Sequence, residues 1–133
     1  MTVPSEHDEQ VMLIQYCDLM SRSNPDYGLI FAIPNGGDRN IVTAGKLKAE
    51  GVKPGVPDLF LPVPRGIYSG LFVEMKRRKG GRVSKEQVAW ISALISRGYK
   101  VVVCRGFDDA RDALEAYMEG DKNHERAPDN TVR

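Results

Sequence analysis

The 133-residue chain is poor in cysteine and has no long apolar run. Cys17 and Cys104 are too few and too isolated for a disulfide framework or a zinc site. Histidine is equally scarce. His7 sits beside a helix start and His124 near the C-terminus, so neither belongs to a ligand cluster. No segment approaches the ~20 consecutive apolar residues of a membrane-spanning helix. Met1-Thr2-Val3-Pro4-Ser5-Glu6 lacks the basic-then-apolar pattern of a secretory signal. An intracellular, cytoplasmic and reducing setting is therefore expected. Net charge is only +1, but the charges are unevenly spread. Lys76, Arg77, Arg78, Lys79, Arg82 and Lys85 follow one another without an intervening acid, whereas acids dominate from Asp108 to Glu125. A basic run of this kind suits a phosphate backbone; otherwise it is a solvated loop.

A hydrophobic content of 41% and a charged content of 28% suit one folded domain with one core. The spacing of Leu13, Tyr16, Cys17 and Met20, with Val11 and Ile14 alongside, predicts a helix from Ser5 to Met20. Ser5 is its cap, and Glu6, Asp8 and Glu9 favour the positive helix end. Leu29 to Ile33 reads as a short buried strand, Pro34-Asn35-Gly36-Gly37 as a turn and Thr43 to Glu50 as a short helix. Two apolar runs, Val56 to Leu61 and Leu71 to Lys76, read as a hairpin. Ser84-Lys85-Glu86-Gln87 fits a capping box and opens a helix that Gly98 ends. Tyr99 to Cys104 reads as an interior strand and Asp108 to Met118 as a last helix. The expected order is α-β-α-β-β-α-β-α, an α/β fold with a mixed sheet flanked by helices. Residues 1–119 form the expected domain and 120–133 a polar, mobile tail.

Three residues on the hairpin suggest chemistry. Alternate side chains of a strand share a face, so Glu74 and Lys76 point one way while Val73 and Met75 point the other. If the strands pair, Asp58 comes close to Glu74. An aspartate at a strand start is ordinarily a turn or cap residue, yet Asp58 lies inside an apolar run, where an unpaired charge is expensive. A bound cation would offset that cost. Two carboxylates form an oxygen-rich site suited to Mg²⁺ or Mn²⁺. Beside them, the ammonium of Lys76 suits orienting water and stabilising an anionic phosphate better than acting as a general base.

The pattern Pro57-Asp58 followed by Glu74-Met75-Lys76 resembles the PD-(D/E)XK nuclease superfamily. Further blocks resemble its VRR-NUC branch: Ser5 to Gln10, Ile33 to Arg39, Gly51 to Asp58, Glu74 to Lys76 and Ser84 to Gln87. The two carboxylates and the lysine alone are a weak motif; five blocks in order are a specific one. The resemblance implies a restriction-endonuclease-like fold and metal-dependent cleavage of DNA phosphodiesters, with a role in DNA repair. It implies the Met75 carbonyl as a further metal ligand and Glu6, rather than Glu9, as a further acid at the site. It places Gln87 near the scissile phosphate, where the alternative is simple closure of the capping box on Ser84. Asn35 and Arg39, with Arg77, Arg78, Lys79, Arg82 and Lys85, are the expected DNA contacts. Small stand-alone members resemble homodimeric resolvers of branched DNA such as four-way (Holliday) junctions. The candidate dimer surfaces are the last helix, with Tyr117 and Met118, and the helix carrying Trp90. The alternatives are a catalytically inactive nucleic-acid-binding module and a subunit of a larger repair or phage complex.

Overall fold

The computed structural model describes residues 2–34 and 41–120. Asn35, Arg39, the glycine turn between them and the expected tail from residue 121 onward lie outside the described residues. The described elements are α1 (Glu6–Met20), β1 (Phe31–Ala32), α2 (Ile41–Ala49), β2 (Leu59–Leu61), β3 (Leu71–Lys76), α3 (Lys85–Ile95), β4 (Lys100–Arg105) and α4 (Phe107–Glu119), with a 3₁₀ turn at Pro25–Leu29. The expected order is present, and the sheet runs β1-β2-β3-β4. The pairs β1–β2 and β2–β3 are antiparallel and β3–β4 is parallel, so the sheet is mixed. Parallel strands need a crossover, and α3 supplies it.

The two sheet faces follow from strand alternation. Leu59, Leu61, Leu71, Val73, Met75, Val102 and Cys104 share the main core with Leu13 and Cys17 of α1 and Ala110, Ala113, Leu114 and Tyr117 of α4. Each large apolar side chain buried there stabilises the fold by roughly 1.5–3 kcal/mol. On the other face Ile91 of α3 packs with Val101, Val103 and Phe72. Phe60 and Phe72 stack at 4.3 Å between ring centres on that face, with Tyr99 edge-on to both.

Two strand expectations change. The Leu29–Ile33 segment is not a buried strand: Leu29 ends the 3₁₀ turn, and the two strand residues Phe31 and Ala32 are exposed at the sheet edge. Pro25 at the start of the turn and the Asn24 side chain, which accepts from Asp26 N–H, favour the turn over an earlier strand. β4 is terminal among the described strands rather than interior, yet Val101 to Cys104 are buried. Its β-branched run reports helices on both faces rather than a central place in the sheet.

Candidate active site

The register carries Asp58 to Glu74. Leu59 pairs with Val73 in an antiparallel ladder, so the next residue outward, Asp58, lies opposite Glu74. Asp58 Oδ2 accepts from Met75 N–H at 2.7 Å, which pins the aspartate against the β3 backbone. The preceding loop presses on α3. Gly55 has φ 92°, and a Cβ there would sit 2.7 Å from the Glu86 backbone. Only glycine permits both that conformation and that approach.

Alternation sends Glu74 and Lys76 to the α3 face, where they are 2% and 6% exposed. The ammonium of Lys76 lies 3.5 Å from Glu74 Oε2. Gln87 joins them. Its Nε2 donates to Glu74 Oε2 at 2.8 Å, and its Oε1 accepts from Lys76 Nζ at 2.9 Å and from Ser84 N–H at 2.8 Å. Ser84 Oγ accepts in return from Gln87 N–H, so the capping box is complete. The two readings of Gln87 are one structure: the cap fixes the amide that holds the carboxylate and the lysine.

One atom is left over. Glu74 Oε1 is buried and has no hydrogen-bond partner. An unpartnered buried carboxylate oxygen is costly, and that cost shows in how the group titrates. Burial, then the charge of Asp58, push Glu74 up to about 8 despite Lys76. Burial, followed by the charge of Glu6, also raises Asp58, while the Met75 N–H, Lys76 and a hydrogen bond with Glu74 oppose the shift. A buried carboxylate pair that repels and keeps one oxygen, Glu74 Oε1, without a hydrogen-bond partner suits a divalent cation, which would satisfy Oε1 and neutralise the pair. No three His, Cys, Asp or Glu side chains among the described residues converge as a metal cluster by themselves. The oxygens that could hold a cation are those of Asp58 and Glu74, with the Met75 carbonyl and Glu6 as the further donors the resemblance implies.

The two glutamates of α1 separate cleanly. Glu6 is half-buried, and its charge is felt by both Asp58 and Glu74. Glu9 is fully buried and held by Arg78 and by the N–H of Phe107, and Arg78 keeps its carboxyl below the usual range. Arg78 therefore has an internal partner, which sequence reading missed because the two residues are far apart in the chain. Arg77, Lys79, Arg82 and Lys85 follow β3 in the chain, and all four are exposed. Of the dimer candidates, Tyr117 is a core residue whose hydroxyl donates to the Val63 carbonyl, so it cannot present a dimer surface. Trp90 is half-buried on α3, and Val88 on the same helix is 48% exposed.

A model of the VRR-NUC domain family matches residues 10–108. The chain belongs to the VRR-NUC family. A solved structure described as a "VRR_NUC domain protein" superposes with a TM-score of 0.74 at 27% identity, covering 89% of this chain and 91% of that one. Comparison with curated proteins found no match. The fold is the mixed-sheet, restriction-endonuclease-like one of the family, and the chain carries a nuclease-type domain with DNA as its implied substrate. VRR-NUC domains generally use divalent metal ions. Asp58, Glu74, Lys76 and Gln87 fall inside the matched span, whereas Glu6 lies just before it and rests on its position alone. No helix among the described residues is long and apolar enough to cross a membrane.

Proposed function

We propose that this VRR-NUC domain is a Mg²⁺- or Mn²⁺-dependent endodeoxyribonuclease that cuts branched DNA, four-way junctions in particular, as a homodimer. The observation that carries the metal-dependent reading is the buried, unpartnered Glu74 Oε1 beside Asp58, with Lys76 on the same face. Asp58, Glu74, the Met75 carbonyl and Glu6 would hold the cation. When bound, it supplies Lewis acidity at the phosphate and charge stabilisation at the leaving oxygen.

The chain's own residues do the rest. Gln87 fixes both Glu74 Oε2 and Lys76 Nζ, so the ammonium stays beside the carboxylate rather than swinging into solvent. From there Lys76 orients the attacking water and stabilises the extra negative charge on phosphorus. Water adds to phosphorus as the bond to the 3′ oxygen breaks, leaving a 5′-phosphate. Arg77, Lys79, Arg82 and Lys85 supply sequence-independent attraction for the backbone. With one site per chain and two cuts needed to resolve a junction, twofold symmetry is the economical arrangement.

A panel of end-labelled substrates (single strand, duplex, flap, splayed arm and four-way junction) tests the reading in Mg²⁺, Mn²⁺ and EDTA. Metal-dependent paired cuts on opposed strands of the junction, by a protein of dimer mass in light scattering, are expected. Binding without cleavage in either metal would point instead to a binding module. A monomer mass, or cuts confined to one strand, would remove the dimeric resolvase and leave the nuclease.

A further inference from the structure

We propose that Arg78 is a positioning residue, clamped to Glu9 so that the first turn of α1, and with it Glu6, is held against Asp58 and Glu74, rather than a DNA-phosphate contact. The inference rests on the nuclease reading above and concerns how its acidic site is kept together.

Three element ends meet beside Lys76. Arg78 leaves β3 two residues beyond that lysine. The Gly106 N–H, just ahead of α4, donates to the Lys76 carbonyl at 3.1 Å. Glu9 comes in from the first turns of α1 and is 0% exposed. Its Oε1 accepts from Arg78 Nη2 at 3.0 Å, Arg78 Nε at 3.2 Å and Phe107 N–H at 2.9 Å, while Oε2 accepts from Arg78 Nε at 3.0 Å. One carboxylate thus ties α1 to the end of β3 and to the start of α4. It also does for α4 what Gly106 cannot: the helix has no cap from its own N-cap side chain, and Glu9 supplies an acceptor and a negative charge at its N-terminus.

The backbone is shaped for this clamp. Gly106 has φ 93°, and a Cβ there would fall 2.8 Å from Arg78 Cγ and Nε and 2.9 Å from Glu9 Oε2. Any other residue would be strained and would push the pair apart. The guanidinium spends Nε and Nη2 on the buried carboxylate, so its place is set by Glu9, and only the remaining donors on its 43% exposed side chain point to solvent. Both arginines are exposed, but among the described residues the Arg77 guanidinium makes a weak 3.4 Å hydrogen bond to the Val3 carbonyl in place of a buried carboxylate.

The consequence reaches the site through the helix. Glu6 and Glu9 are three residues apart, neighbours on one helix face, so a shift or rotation at Glu9 moves Glu6 directly. Helix α1 packs directly against β3, the strand that carries Glu74.

The test uses the full chain and three readouts: Mn²⁺ affinity by calorimetry without DNA, affinity for a labelled four-way junction in EDTA at several salt concentrations, and kcat and KM for cleavage. Arg78→Ala is expected to weaken Mn²⁺ binding by about 10–100-fold and to lower kcat, as removing a partner behind a metal ligand does. Junction affinity, its salt slope and KM should hold. Arg77→Ala should do the reverse. Glu9→Gln keeps one acceptor oxygen for Arg78 and the Phe107 N–H and should keep more of the Mn²⁺ affinity than Glu9→Ala does. Should Arg78→Ala fail to fold, Arg78→Lys decides, because lysine preserves a phosphate contact but not the two-nitrogen grip. Weakened junction affinity with unchanged Mn²⁺ binding, or an Arg78→Lys protein equal to wild type in Mn²⁺ affinity, would overturn the inference. A wild-type protein that binds Mn²⁺ yet cuts no DNA would remove the nuclease reading instead, and the Mn²⁺ comparison would still judge the clamp.

Discussion

Alternate residues of one strand live in opposite chemistries. On one face of β3, Leu71, Val73 and Met75 are completely buried between the sheet and helices α1 and α4. On the other, Glu74 and Lys76 are almost as deeply buried but ionisable. The apolar face is held by area and close packing, which are non-directional and forgiving of chemistry though not of volume. The polar face is held by specific donors, and Gln87 provides them for one oxygen of Glu74 while the other is left bare. One face therefore stabilises the fold, while the other holds a costly buried polar group in a fixed place. Substitutions on the two faces should separate stability from activity.

The largest effect is expected from the carboxylates. Asp58→Ala or Glu74→Ala should reduce cleavage by about 10³-fold or more while leaving a folded protein, because each removes one member of a mutually repelling buried pair. Cleavage gels and thermal denaturation read the two quantities side by side; strong unfolding with residual activity would contradict the division. The opposite pattern is expected one residue away. Met75→Ala should cost about 2–5 kcal/mol of stability in urea denaturation, yet cleavage per folded molecule at low temperature should change far less.

Gln87 sharpens the comparison because it serves both fold and site. Gln87→Ala should lower kcat by about 10–100-fold. Ser84→Ala removes only the serine's half of the cap, costs about 1 kcal/mol and should leave most activity. Equal activity losses in the two variants would mean that the cap, not the amide bridge, matters.

The pH dependence has a definite sign. Glu74 is raised by burial from 4.5 to about 8, so its neutral form is the one favoured by folding. The stability it contributes is fully present below 4.5 and lost as pH rises through about 8. The melting temperature of the metal-free protein should therefore fall across that window. Glu74→Gln should flatten the fall, and Mn²⁺, which must displace the proton, should bind more tightly as pH approaches 8. The smallest effect belongs to the surface. Neutralising Arg77, Lys79 and Arg82 together should make the slope of log affinity against log salt shallower by about 0.9 for each phosphate no longer neutralised, without changing the cleavage step.

Most of the site was legible because it is local. Period-two alternation put Glu74 and Lys76 together, hairpin pairing brought Asp58 across, and the Ser84–Gln87 spacing marked the cap that proved to carry the bridging amide. The order of elements was legible for the same reason. What the sequence hid are features settled by distant partners. Nothing in the run Arg77-Arg78-Lys79 distinguishes the arginine that turns inward to Glu9 from its neighbours. Helical spacing put Glu6 and Glu9 alike on or near the apolar face of α1; which one is sealed depends on Phe107 and Gly106, far along the chain. Tyr117 had the look of an interface aromatic, and only the Val63 carbonyl reveals it as core. Both strands formed where expected, but the burial of β1 and an interior place for β4 among the described strands did not follow, since an apolar run does not fix a strand's place in a sheet.

The most direct test of the central claim is cleavage of a four-way junction labelled on each strand in turn, by wild type and by Glu74→Gln, in Mg²⁺, Mn²⁺ and EDTA. Glu74→Gln keeps the shape of the side chain and removes its charge at the buried oxygen. Wild type should cut in either metal and not in EDTA, and Glu74→Gln should bind the junction as well as wild type yet fail to cut it. Cleavage in EDTA, or near-normal cutting by Glu74→Gln, would contradict the assignment of the Asp58–Glu74 pair as the metal-dependent centre.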